Sequence, residues 1–329
     1  MPRPALRRHG VLTALLCAVS LAACTGNGGD GTQDSPPTPP AVAPAVAAST
    51  TTSVLTKLVS AASDVTPAGA TARAAVLVGP ALESANAWAK VLPGHTAEEK
   101  AAQELSPEDA KVLAVSRGPQ YPHLILVQTT LKQTSDAVLV LIASEQAGDD
   151  FKVAAVTPLL PGATVDALDP VELGSARLGD GSGLAATPDQ VVTAFAQSVK
   201  YPDPVATQLL DADSLSEQLR KSATDQAAAL GSAAVYTQTH TPGGVLGGFR
   251  LKGGNGALVF ANLVRDEAIA WQSPTKLTPG KDFTALTGIK AITSEAKLTS
   301  NEILAIVIPA SGKARVVAAS DQLVAGSGR

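Results

Sequence analysis

Two stretches of this chain demand antiparallel strands. Ala137–Ser144 (AVLVLIAS), the turn Gln146-Ala147-Gly148-Asp149 and Phe151–Leu160 (FKVAAVTPLL) form the first. Glu302–Ala310 (EILAIVIPA), Ser311-Gly312-Lys313 and Ala314–Val324 (ARVVAASDQLV) form the second. β-Branched apolar runs joined by short glycine-bearing turns are a hairpin signature. The likeness of the two suggests an internal duplication; independent hairpins of similar composition are the alternative.

The elements upstream of each hairpin also correspond. Thr66-Pro67 and Thr187-Pro188 each read as an N-cap followed by proline in the first turn, where its missing donor costs nothing. Helical stretches follow at Ala70–Val78 and Ala81–Leu92 in the first half and at Asp189–Lys200 in the second, where Val191, Val192, Phe195 and Val199 share one face. Asp213 caps a further helix to Leu230. Strands are expected at Lys111–Arg117 and Leu124–Lys132, then at Ala233–Thr239, Gly247–Leu251, Ala257–Leu263 and Ala268–Gln272, with turns at Lys252–Gly256 and Arg265-Asp266-Glu267. Helices first and consecutive strands afterwards place helices against one face of an antiparallel sheet. The fold class is α+β, as two tandem domains, residues 49–170 and 188–325, separated by a Gly-rich linker at 171–187.

The N-terminus has a separate logic. Arg3, Arg7 and Arg8 precede the apolar run Val11–Leu21, which is too short to cross about 30 Å of hydrocarbon. Residues 1–23 therefore read as a signal peptide. Its end, Leu21-Ala22-Ala23-Cys24, resembles a bacterial lipobox, which implies that Cys24 becomes the lipidated first residue of the mature chain. An ordinary signal cleaved after Ala23 is the alternative. Residues 24–48 are rich in Gly, Pro, Ser and Thr and cannot bury enough surface to fold, so low order is expected up to Ala48, as a tether from the membrane. No later run is long enough to span a bilayer. The expected location is the extracytoplasmic face of the cell membrane, held by the lipid on Cys24.

Loss of residues 1–23 takes the formal net charge from −4 to −7. A mildly acidic body argues against nucleic acid as a partner. The two cysteines are Cys17, removed with the signal, and Cys24, so the mature chain has no disulfide and no thiolate metal site.

The order of elements is similar to the cone-shaped nuclear-transport-factor-2-like (NTF2-like) superfamily, with cystatin-like sheets a close competitor. The whole chain, with its Ala-rich signal, lipobox, Pro-rich tether and the strand Tyr121–Thr130 (YPHLILVQTT), resembles a family of lipoproteins from high-GC Gram-positive bacteria. That resemblance implies a location and brings no activity with it.

Little in the sequence carries chemistry. His95, His123 and His240 stand apart from one another, His95 and His240 beside Gly94 and Pro242 in expected loops. The acidic pairs Glu98-Glu99, Glu108-Asp109, Asp149-Asp150 and Asp266-Glu267 fall at expected helix starts or turn tips. Asp211-Ala212-Asp213 with Glu217 lacks the glycine and the spacing of a calcium loop and reads as a cap. The tetrads Ser273–Lys276 and Ser294–Lys297 lack the Lys-Thr-Gly strand of penicillin-binding enzymes. The pairs Gly243-Gly244, Gly247-Gly248 and Gly253-Gly254 lack a phosphate-loop ending. Aromatic residues make up only 3% of the chain, too few for a stacking platform, with Trp271 the one to test for exposure.

The resulting expectation is a membrane-anchored, non-catalytic binding or interaction module of the cell envelope, without cofactor, metal or catalytic residues, whose partner is an envelope protein or an apolar ligand. A hydrolase or isomerase drawing on His123, His240 or Asp266 in a pocket without a linear motif is the alternative. Domains that merely space an assembly are a third reading.

Overall fold

The computed structural model describes residues 38–329; the signal peptide, Cys24 and the tether up to residue 37 lie outside the described residues. Residues 38–329 belong to one compact unit built from two α+β halves.

The first half opens earlier than expected. Ala41 donates its N–H to Ser116 O at 2.7 Å, and helix α1 spans Pro44–Ala62, so the part of the expected tether from Pro40 to Ala48 is joined to the fold. Its sequence is rich in Ala, Ser and Thr, which conceals an inner face of Ala47, Val54, Leu55, Leu58 and Ala61 at helical spacing. Helices α2 (Pro67–Val76) and α3 (Gly79–Val91) follow, α2 capped by Thr66, whose hydroxyl accepts from Gly69 N–H at 3.3 Å. After a 3-10 turn at Leu92–Gly94 comes the short α4 (Ala97–Ala101), closed by a capping box between Thr96 and Glu99. Strands β1 (Lys111–Val115), β2 (His123–Thr130), β3 (Ala137–Ser144) and β4 (Lys152–Pro158) then pair in chain order as an antiparallel meander.

The second half repeats the order. Helix α5 (Pro188–Ser198) carries a capping box between Thr187 and Gln190, and α6 (Ser214–Leu230) is capped by Asp213. Strands β5 (Ala234–Arg250), β6 (Gly256–Trp271), β7 (Glu295–Pro309) and β8 (Arg315–Gly328) form the second meander, with α7 (Lys281–Thr287) between β6 and β7. Both expected hairpins are present, and each turn contains a glycine in the left-handed region, Gly148 at φ +90° and Gly312 at φ +95°.

The second sheet departs from expectation in length. Ala233–Thr239 and Gly247–Leu251 belong to one continuous strand, β5, interrupted by irregularities at Pro242/Gly244 and Val245/Gly247. Ala257–Leu263 and Ala268–Gln272 likewise merge into β6, and Arg265-Asp266-Glu267 is not a turn, because each residue is paired on both sides, Arg265 with His240 and Ser300. At about 3.3 Å per residue, β5 runs about 55 Å.

Only one end of this sheet meets the first. Phe249, Leu258, Phe260, Ile303, Ala305, Val307 and Val317 share a hydrophobic cluster with β1–β4 and with α1, while the alternating residues Ala257, Val259, Ala261, Leu304, Ile306 and Val316 pack with Val191, Val192 and Phe195 of α5. Period-two alternation thus sends one face toward the other half and one toward α5. The first sheet is covered on both faces, since β3 is buried at every position from Val138 to Ser144.

The segment expected as a linker ties the two sheets together. Ser175 N–H donates to Val115 O at 2.8 Å, and Arg250 N–H donates to Ala176 O at 2.7 Å. Arg117 secures it further through the Leu173 and Gly174 carbonyls and an ion pair with Asp169 at 2.8 Å. No helix among the described residues is long and apolar enough to cross a membrane.

Candidate functional site

A cleft of about 730 Å3 opens where α1, α3 and α4 stand over the first sheet and the middle of β7 and β8 of the second. Leu58, Val59 and Ala62 of α1 and Ala81, Ala85 and Trp88 of α3 form one side. Val138, Val156 and Pro158 form the floor, and Ile303 and Ala319 close the side toward the second sheet. The segment 92–105 borders it with Leu92, Ala97, Lys100, Ala101 and Leu105. The space exists because the helices present alanine and serine here: a helix held off the sheet by larger neighbours leaves a void wherever its inward residues are small.

Apolar residues outnumber polar ones around the cleft, and its two carboxylates meet cations that stand outside it. Glu104 pairs with Lys132 at 2.9 Å, and Asp321 pairs with Arg265 Nη2 at 2.8 Å; neither cation lines the cleft. Among the described residues Lys100 is the only cation that does. Asn301 Nδ2 donates to Glu83 at 3.0 Å, fixing α3 against β7 beside this wall.

Behind Asp321 the extended part of the second sheet carries a buried polar network on one face. Tyr236, Gln238 and His240 alternate along β5 and so point the same way. His240 Nδ1 lies 2.7 Å from Glu302 Oε2, and its Nε2 lies 3.0 Å from Gln238 Nε2, whose amide also donates to Val199 O at 2.9 Å. The bonding fixes the ring: Nδ1–H donates to the carboxylate, and Nε2 accepts from the glutamine. Arg265 sits among three carboxylates, Glu302 at 3.1 Å, Asp321 at 2.8 Å and Glu267 at 3.5 Å. Burial disfavours its charge, yet the surrounding carboxylates outweigh this and hold its pKa above the ordinary arginine value. Burial, with the Glu302 and Glu267 charges, pushes the Asp321 carboxyl up despite Arg265. Burial and a 2.5 Å hydrogen bond to Glu267 likewise push the Tyr236 hydroxyl up.

Of the residues singled out in the sequence, His240 is the one most misplaced by expectation. It lies inside β5 with its side chain fully buried, not in a loop. It pairs with a glutamate, as a catalytic dyad would, but Gln238 occupies the nitrogen that a base would use and His240 does not line the cleft. Asp266 points to the opposite face, accepting from Thr299 at 2.6 Å and pairing with Lys297 at 3.2 Å. His123 lies in the other sheet, stacked on Tyr121 at 3.9 Å. The three candidate catalytic residues are therefore not brought together. His95 is half-buried between Glu99 and Asp282, with Trp88 at 4.8 Å between ring centroids.

Asp213 is a cap, accepting from Ser216 N–H at 2.8 Å. Ser294 donates to Arg329 O and Lys297 is committed to Asp266, so that tetrad forms no Ser–Lys pair. Trp271 is half-buried against Phe283, Ile292 and Ala296. Among the described residues no group of three or more His, Cys, Asp or Glu is arranged to hold a metal ion.

No linear motif marks Arg265, Glu302, Gln238 or Tyr236. The signal was present as polar residues at every second position of an otherwise strand-like segment. Comparison of the chain with protein-family models, curated proteins and solved structures finds no match.

Proposed function

We propose that this protein is a lipid-anchored binding protein of the extracytoplasmic membrane surface that holds an apolar small molecule in the cleft between its first helices and its two sheets. The observation that carries the reading is the cleft itself: its volume of about 730 Å3 falls in the range of small-molecule sites, and apolar side chains dominate its walls. Burying about 300 Å2 of an apolar ligand at about 25 cal/mol per Å2 provides about 7.5 kcal/mol before the cost of association, so burial alone supports binding weaker than micromolar.

The anchor supports the same reading. Lipidation at Cys24 and a tether hold the cleft close to a bilayer, where sparingly soluble molecules concentrate. The resemblance to envelope lipoproteins agrees with that location. The buried His240–Glu302 pair supports a structural role, because its remaining ring nitrogen is already bonded.

The test is a titration of residues 24–329 carrying Cys24→Ser with N-phenyl-1-naphthylamine, a neutral dye that brightens in apolar surroundings. Saturable brightening is expected, and Ala85→Trp, which fills the cleft from α3, removes it. Equal binding by the filled variant places the dye elsewhere and overturns the reading.

A further inference from the structure

His95 stands where the border of the cleft meets the second half. It follows the 3-10 turn Leu92–Gly94, and its ring tilts against Trp88 of the cleft wall. Both ring nitrogens face carboxylates: Nδ1 lies 3.1 Å from Glu99 Oε2 of α4, and Nε2 lies 3.0 Å from Asp282 Oδ1 of α7. A neutral imidazole carries one N–H and one lone pair, so either tautomer turns a lone pair toward a carboxylate oxygen. Only the imidazolium, with a proton on each nitrogen, meets both carboxylates without repulsion. Glu99 is held in place by other bonds, since its carboxylate accepts from Thr96 N–H at 2.8 Å and meets Lys281 Nζ at 3.1 Å. The groups around the ring are therefore Glu99 from α4, Asp282 from α7 and the uncharged ring of Trp88 from α3, with Lys281 behind Glu99. Two carboxylates and one ammonium balance only when the imidazole supplies the second positive charge. The buried His240 offers no such choice, because Gln238 already donates to its second nitrogen.

We propose that His95 is a proton-operated latch between the two halves: with the ring charged it fastens the segment 92–105 to α7, and loss of the proton frees that border of the cleft. Histidine is the side chain whose charge changes near neutral pH, so the latch is closed in mildly acid surroundings and loosens as pH rises. Its effect on a ligand rests on the cleft being a ligand site. Leu92, Ala97 and Ala101 line the cleft from this segment, so a loosened latch opens the way out.

A double-mutant cycle on residues 24–329 (Cys24→Ser) tests the latch without a ligand. The unmodified chain, His95→Gln, Asp282→Ala and the two combined are unfolded in urea at about pH 5.5 and about pH 8.5, on either side of the range in which histidine changes charge. The coupling between the two positions is expected to be about fivefold in the folding equilibrium constant at the lower pH, as for a partly exposed charged pair, and below about twofold at the higher. His123→Gln, in the first sheet, leaves this pH dependence unchanged. N-Phenyl-1-naphthylamine is expected to dissociate severalfold faster at the higher pH from the unmodified chain, and equally fast at both pH values from His95→Gln. A coupling of the same size at both pH values, or none at the lower, overturns the latch. Dye release that ignores pH while the coupling follows it overturns the control of the cleft. Failure of the dye to bind while the coupling follows pH removes the cleft reading and supports the latch alone.

Discussion

His95 Nε2 lies 3.0 Å from Asp282 Oδ1, tying the turn before α4 to the first turn of α7 across 187 residues of chain. The other ring nitrogen, Nδ1, lies 3.1 Å from Glu99, and Glu99 in turn meets Lys281 at 3.1 Å. Four side chains thus close a circuit between the two halves. Because Leu92, Ala97 and Lys100 flank this circuit and line the cleft, it holds one border of the site in place.

Glu99 gives the circuit a pH signature. The Thr96 N–H, then Lys281 and His95, stabilise its carboxylate and lower its pKa from 4.5 to about 2. The folded chain therefore keeps this group ionised to lower pH than the unfolded chain does. Its contribution is complete above about pH 4.5 and is lost as pH falls toward about 2. Carboxyl 13C titration by NMR is expected to place the Glu99 midpoint near that lower value, and Lys281→Met to raise it. A midpoint at the ordinary glutamate value, unmoved by Lys281→Met, would show that the clasp does not form.

Arg265 is the cation on which the buried network depends. Arg265→Met leaves Glu302, Asp321 and Glu267 facing one another without it, and removal of one partner from a buried pair costs about 3–5 kcal/mol. Urea unfolding is expected to show a loss of that size. Glu302→Gln added to Arg265→Met should recover part of it, because one stranded charge is removed. A loss below about 1 kcal/mol would mean the network is solvated like a surface cluster.

The close approach of β8 to α7 rests on Gly326. A Cβ there would lie 2.6 Å from Phe283 Cε2 and 3.2 Å from Lys297 O, so Gly326→Ala must push the ring and its helix aside. Overpacking of this kind costs about 1–3 kcal/mol. Trp271 belongs to the same small cluster and reports the shift through its fluorescence. Unchanged emission and melting temperature would show that α7 is not seated by this contact.

These residues also mark what can be read from the chain and what cannot. Thr187 and Asp213 announce their helices because a cap is a local bond, and the two hairpins announce themselves because apolar β-branched runs with a glycine turn have one good solution. The length of the second sheet was hidden by Arg265-Asp266-Glu267. Three consecutive charges read as a turn unless a guanidinium is known to serve carboxylates from two neighbouring strands. Helix α1 was hidden by its Ser and Thr content, and its apolar face acquires meaning only against the first sheet. The cleft is the least visible feature of all. It is made by what Ala81, Ala85, Ala97 and Ala101 lack, and no pattern of residues along a chain records an empty volume between elements brought together by folding.

The most direct test of the account is native mass spectrometry of residues 24–329 (Cys24→Ser), isolated from a bacterial secretory host without detergent, beside the same chain carrying Ala85→Trp. The account expects a retained small-molecule mass on the first, released on collisional activation, and none on the second. A bare protein mass for both, or the same adduct on both, would contradict a ligand-holding cleft.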